Sequence, residues 1–138
     1  MRAFLDTNVL LDSIVERENQ QFSDDAATIL KLGKKGVLAL CMSIFSVPTI
    51  AYVLKNVNAA RKRAIIQELA SIVEVLPALP GHVYEMLESP LNDIEDALQL
   101  FSAKEGGCEL IVTRDVGDFS QADIPAITPQ NLLTRILE

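Results

Sequence analysis

The stretch RAFLDTNVLLD, residues 2–12, decides how the rest of the chain is read. Residues 2–5 form a short apolar run that ends at Asp6, the pattern of a buried first strand with an acid at its carboxyl end. Thr7 or Asn8 can then cap a short helix carrying Val9, Leu10 and Ile14 inward. An acid directly after an apolar strand is a costly placement unless something uses it. As the bland alternative, Asp6 merely caps the helix that follows.

Working outward, the same strand-then-helix grammar repeats. Helical spacing follows Ser23, with Ala26, Ile29 and Leu30 inward, until Gly33 and Gly36 end it. Residues 37–42 read as a buried strand and 43–55 as a helix bent at Pro48. Asn58 opens a helix with Ile65, Ile66, Leu69 and Ile72 inward, and 73–76 is a short strand. A helix across 82–87 stops at Ser89-Pro90, and another runs from Asn92 or Asp93 to about Ala103 before Gly106-Gly107. Residues 109–113 make a fourth strand and 124–127 a weak fifth. Thr128-Pro129 is an N-cap followed by proline at the first position of a C-terminal helix. Short apolar strands alternating with helices predict a parallel sheet covered on both faces. The expected class is α/β, with one domain over 1–138 and no internal repeat.

Composition narrows the function classes. At 138 residues with 49% hydrophobic side chains, the chain has apolar material for a packed interior, which excludes a disordered tail. The longest apolar run, 37–54, is interrupted by Ser43, Ser46, Pro48 and Thr49 and is short for a membrane span, so no membrane association is expected. The N-terminal stretch carries an acid at position 6, unlike a signal peptide. Cys41 and Cys108 stand 67 positions apart without a CxxC or a nearby His. They read as free core thiols of a reducing, cytoplasmic protein. His82, the one histidine, reads as a surface or capping residue.

The charge is segregated. Residues 31–63 hold Lys31, Lys34, Lys35, Lys55, Arg61, Lys62 and Arg63 and no acid, so against an overall −7 the rest of the chain stands at −14. Such a segment either docks a polyanion or is the solvated face of ordinary helices. The acids concentrate near strand ends: Asp6 after the first, Asp115 and Asp118 after the fourth, and Asp93, Glu95 and Asp96 at the start of the helix before it. In an open α/β sheet, ligands bind beyond the carboxyl ends of the strands, so these acids are expected to converge. Clustered carboxylates repel, and hard oxygen donors suit Mg²⁺ or Mn²⁺. Singly, each acid also has a structural reading. Asn92 with Glu95 resembles a capping box, Asp93 suits a helix dipole, and Asp115 and Asp118 suit turns.

Three stretches in order, FLDTNVLLD, DIEDALQLFSA and LIVTRDVGDF, resemble the PIN-domain ribonucleases, and among them the VapC-type toxins of VapBC systems. The resemblance spans nearly the whole chain. It implies a three-layer α/β/α sandwich around a parallel sheet of four to five strands, and RNA cleavage with Mg²⁺ or Mn²⁺ held by three or four acids. Carried over, Asp6 matches the first-strand acid, Asp96 the mid-chain acid, and Asp115 and Asp118 the late acids. Asn8 matches a polar organiser of the site and Thr113 the small hydroxyl residue before the late acids.

One departure stands out. The family places a Glu on the helix after the second strand, and here SIFSVPTIAY puts Thr49 there, with no acid between Asp25 and Glu68. Either Glu95 or Asp93 replaces that charge, or the chain is a weakly active or inactive interaction module. The resemblance further implies an RNA substrate, a small antitoxin partner and a homodimer. Lys34, Lys35, Lys55, Arg61, Lys62 and Arg63 are the expected RNA-backbone contacts. A phospho-aspartate domain also begins with an acid after the first strand. Asn8, where one such class needs an acid, and Arg114, where another needs a Lys, argue against it.

Overall fold

A computed structural model describes residues 1–15 and 19–138. Five strands form one sheet in the order β3-β2-β1-β4-β5, and every neighbouring pair is parallel. They are β1 (Arg2–Leu5), β2 (Ala39–Ser43), β3 (Glu74–Leu76), β4 (Leu110–Val112) and β5 (Ala126–Ile127). The helices are α1 (Thr7–Ile14), α2 (Gln20–Lys34), α3 (Ser46–Val53), α4 (Ala59–Ile72), α5 (Pro80–Leu87), α6 (Ile94–Glu105) and α7 (Pro129–Leu137), with a 3₁₀ turn at Val116–Phe119. The expected α/β/α sandwich is the fold observed.

The layering follows from the strands themselves. Ala3 and Leu5, Leu40 and Met42, and Leu110 and Val112 point into one core with α1, α2, α3, α4 and α7. The alternate residues Phe4, Cys41 and Ile111 point into a second core with Leu100 and Ala103 of α6 and with Phe119. Continuous apolar strands are what a sheet buried on both faces requires. Close packing leaves no room at Gly33, where a Cβ would collide with Leu40 and crowd Ile72, so this glycine lets α2 lie against β2 and α4. Gly107 takes φ +69°, a left-handed turn that swings the chain from α6 into β4.

Several local expectations are adjusted. The cap position of α1 is Asp6 rather than Thr7 or Asn8, and α2 begins at Gln20 under an Asn19 cap, ahead of Ser23. Residues 16–18 lie outside the described residues. The helix expected from Ser43 begins at Ser46. Pro48 falls in its first turn, where the missing N–H has no partner to lose, so the helix is not bent there. Asn58 and Thr128 cap as expected, accepting from the Arg61 and Asn131 amides. His82 is a capping residue but not a surface one: it is 2% exposed, and its Nδ1 accepts from the Leu79 amide at 3.2 Å. The thiols of Cys41 and Cys108 are free, buried and adjacent, and this contact together with burial pushes the Cys41 thiol up. Among the described residues no helix is long and apolar enough to cross a membrane.

Candidate active site

The strand order reverses between β1 and β4. β1 leads outward to β2 and β3 on one side, and β4 and β5 complete the other. Asp6 follows β1 and Thr113 follows β4, so both sit at the carboxyl edge beside the switch point, where α/β sheets leave a crevice. A cleft of about 230 Å³ opens there, lined by Asp6, Asn8, Thr49, Asp93, Glu95, Asp96, Gln99, Asp115 and Asp118 among others. All the acids expected to converge line this one cleft.

Asp6 is 4% exposed, and each of its carboxylate oxygens accepts one side-chain hydrogen bond. Thr113 Oγ1 donates to Oδ2 at 2.8 Å, and Gln99 Nε2 donates to Oδ1 at 3.1 Å. The Thr7 and Asn8 amides face the carboxylate favourably without forming a capping hydrogen bond. Asp6 is therefore not a helix cap in the ordinary sense. Burial raises its pKa, and the donors from Thr113 and Gln99 pull it back down.

The hydrogen bonding continues as a buried chain. Gln99 Oε1 accepts from the Thr7 amide at 3.2 Å, and Thr7 Oγ1 meets Ser46 Oγ at 2.7 Å. On the other side, Thr113 Oγ1 accepts from the Asp115 amide at 3.0 Å. Residues from α3, α1, α6, β1 and the end of β4 thus share one polar network, each member satisfied by the next. Sequence reasoning missed Gln99 and Ser46. Gln99 lies one turn after Asp96 in EDALQ, on the same helix face, which was a usable signal. Ser46 stood out only as a polar residue interrupting an apolar run.

The carboxylates of α6 stand nearer to solvent. Asp93 caps the helix, its Oδ1 accepting from the Asp96 amide at 2.9 Å, so the cap is Asp93 and not an Asn92–Glu95 box. Asp96 is half-buried and its pKa is pushed up to about 7, first by burial and then by Asp93, Asp6, Asp118 and Glu95. Burial, Asp6 and Asp93 raise Glu95 as well. Asp115 immediately precedes the 3₁₀ turn and Asp118 lies within it, its amide donating to the Asp115 carbonyl at 3.0 Å.

The donor set is all oxygen, without thiolate or imidazole in the cleft, and its members suppress each other's ionisation. That chemistry fits a hard divalent cation with retained waters. Among the described residues no three Asp, Glu, His or Cys side chains are yet gathered tightly enough to hold an ion. Each Asp6 oxygen accepts one hydrogen bond, from Gln99 or Thr113, and keeps a further lone pair directed at the cleft's other acids or a cation. Thr49 lines the same cleft and brings no charge to it; its hydroxyl donates back to the Phe45 carbonyl at 3.5 Å.

The basic residues divide. Lys34 and Lys35 end α2 just before β2, and the nearby Ala39 amide bonds Met1, the start of β1. They therefore lie at the amino edge, opposite the cleft. Arg61, Lys62 and Arg63 occupy the first turns of α4, which runs back toward the start of β3, and Arg61 lines a separate groove with Ser13, Ile14 and Leu30. Lys55 follows α3, its ammonium 4.5 Å from the Tyr52 ring centre.

Comparison with known proteins agrees with this architecture. Residues 2–117 match the family described as PIN domain. The chain is 32% identical over 140 aligned residues to Ribonuclease VapC1 of Aquifex aeolicus (strain VF5), covering 97% of this chain and 94% of that protein. Its fold aligns with VapBC2 from Rickettsia felis, solved bound to a promoter DNA fragment, at TM-score 0.67 and 14% identity, covering 93% of this chain and 98% of that one. It aligns with a toxin–antitoxin complex from Klebsiella pneumoniae at TM-score 0.66 and 18% identity, over 92% and 97% of the two chains. With that profile match across most of its length, an acid-lined cleft at the switch point of the sheet and a VapC relative aligned nearly end to end, the chain belongs to the PIN-domain family.

Proposed function

We propose that this protein is a divalent-metal-dependent endoribonuclease, the toxin of a toxin–antitoxin pair. The observation that carries the reading is the convergence of Asp6, Asp96, Asp115 and Asp118 on one cleft at the carboxyl edge. These four are the proposed ligands of Mg²⁺ or Mn²⁺, with Asn8, Asp93, Glu95 and Thr113 in support. When bound, the ion lowers the pKa of a water and neutralises charge developing on the phosphoryl oxygens. Thr113 and Gln99 hold the Asp6 carboxylate ionised and in one orientation. Without a cation, burial and the neighbouring acids push the Asp96 pKa up to about 7, so Asp96 gives up its proton when a cation binds there. No side-chain nucleophile is required. Arg61, Lys62 and Arg63 are the proposed contacts to the RNA backbone. Lys55 is a weaker candidate, and Lys34 and Lys35 are too remote from the cleft to contribute beside it. A small antitoxin protein is a proposed partner, in keeping with the assemblies named for the structural relatives. A second copy of the chain is proposed as well.

The test is cleavage of an end-labelled RNA with Mn²⁺ by the full chain and by Asp6→Asn. Cleavage in the parent that disappears in the variant and in chelator supports the reading. Equal cleavage in both would point to a contaminating nuclease. A second reading is favoured by one observation, that Thr49 brings no carboxylate to the cleft it lines, at the position where the family resemblance leads one to expect a Glu: a PIN fold kept for binding rather than turnover. It predicts a parent protein that cleaves no RNA in either metal.

A further inference from the structure

Arg114, in the turn after β4, directs its charge inward. Its side chain is 13% exposed and that of Asp12, on α1, is 4% exposed, with Arg114 Nε 3.1 Å from Asp12 Oδ2. The guanidinium also stacks on Phe22 of α2, its Cζ 4.6 Å from the ring centre. Both contacts reach into the layer of α1 and α2, across the sheet from α6.

The backbone of Arg114 lies between two residues of the proposed centre. On one side Thr113 donates to Asp6, and on the other the Asp115 amide donates back to Thr113. Those bonds order the turn within itself and against β1. The Asp12 and Phe22 contacts tie the same turn to two helices. A planar guanidinium is suited to this double task, because it binds a carboxylate at its edge and an aromatic ring on its face. Losing either partner of an ion pair buried this far is costly.

We propose that Arg114, seated by Asp12 and Phe22, is a positioning residue that sets the Thr113–Asp115 turn, and with it the Asp115 carboxylate, against Asp6. Its catalytic consequence rests on the nuclease reading above; its structural consequence does not. Displacement of a positioned group by about 1 Å can cost on the order of a hundredfold in rate, so a seat of this kind has something to protect.

The experiment compares the full chain with Arg114→Met, Arg114→Lys, Asp12→Asn and the double variant Asp12→Asn/Arg114→Met. Two readouts are taken: amide hydrogen exchange at Thr113, Asp115 and Ile111, and kcat and KM on an RNA oligonucleotide with Mn²⁺. A positioning role predicts exchange at Thr113 and Asp115 faster by about tenfold or more in Arg114→Met, with Ile111 in the strand unchanged. It predicts kcat lower by about tenfold or more with KM unchanged, the same loss in Asp12→Asn, and a double variant no worse than either single one. Arg114→Lys, which keeps the charge, recovers part of the loss. Exchange that rises equally at all three amides, or at none, overturns the proposal in favour of a general stabilising role. So does a raised KM in Arg114→Met with Asp12→Asn behaving as the parent, which would make Arg114 an RNA contact. If neither the parent nor Asp6→Asn cleaves RNA, the nuclease reading falls while the exchange comparison still decides the seating of the turn. Should Arg114→Met fail to fold, Arg114→Lys and Asp12→Asn carry the comparison.

Discussion

The Thr113 hydroxyl donates a 2.8 Å hydrogen bond to the Asp6 carboxylate, joining residues 107 positions apart across the reversal in strand order. Thr113 N in turn bonds the Ile127 carbonyl and Asp6 N the Val112 carbonyl, so backbone and side chains fasten the same corner. The corner is buried and hydrogen-bonded within the protein itself, while the carboxylates of α6 and the 3₁₀ turn around it are more exposed.

Stability without metal should fall as pH rises from about 4 to about 7. Asp96 is raised from 3.8 to about 7, and Asp6 and Glu95 are raised too, so the folded state holds these protons more tightly than the unfolded one. Their contribution is complete below the unfolded pKa and is lost as pH climbs through the folded one. Glu74 and Asp123 are lowered by Arg2 and Lys104, the opposite sign, but both are exposed and their effect lies below about pH 4.5. Thermal melts in chelator from pH 4 to 8 should show the decline. Asp96→Asn should flatten it and melt higher than the parent at pH 7.

Gln99→Leu should cost about 1–3 kcal/mol, the penalty of leaving buried polar groups unpaired, here the Thr7 amide and one Asp6 oxygen. In a chain of this size that is a fall in Tm of several degrees. Gln99→Glu should be worse at neutral pH and partly recover in acid, because it sets a second buried carboxylate against Asp6. A Gln99→Leu protein melting like the parent would mean the network tolerates a gap.

Thr49→Glu should tighten Mn²⁺ binding by on the order of tenfold, since a carboxylate adds a hard oxygen and a charge to the cleft that Thr49 lines. In chelator the same change should lower Tm, as one more acid joins a crowded set. Calorimetry giving equal or weaker affinity would place the Thr49 side chain outside the coordination sphere and leave Glu95 or Asp93 as the compensating acid.

Neutralising Arg61, Lys62 and Arg63 together should flatten the dependence of RNA affinity on salt by roughly two units of slope, because each phosphate of a single strand that a cation neutralises contributes about 0.7. Neutralising Lys34 and Lys35 should leave the slope unchanged, because α2 ends at the amino edge of the sheet. Fluorescence anisotropy over a salt series separates the two. An effect of equal size from both sets would mean that RNA follows the basic surface irrespective of the cleft.

The succession of strands and helices was legible from residues in a row. Apolar runs marked β1, β2 and β4. Asn58 and Thr128-Pro129 marked helix starts, and the acids of the three quoted motifs marked the lining of a cleft. Each of these signals is local: a capping side chain or a run of buried residues acts within one or two turns of itself. The edges were less legible. A Ser–Asp–Asp cluster hid an earlier cap at Asn19, and Pro48 suggested a bend that a first-turn proline does not impose.

What the amino-acid sequence determined by itself was therefore the kind of fold and the roster of acids. The tertiary structure decided their partners: Gln99 with Asp6 and Thr7, Arg114 with Asp12 and Phe22, Cys41 with Cys108, and His82 turned inward on Leu79. It also decided that Lys34 and Lys35 stand at the edge of the sheet opposite the cleft. The reason is physical. Most of these relationships span long stretches of chain and exist only because β1 lies between β2 and β4, and strand order is set by packing of the two faces rather than by any residue's own preference.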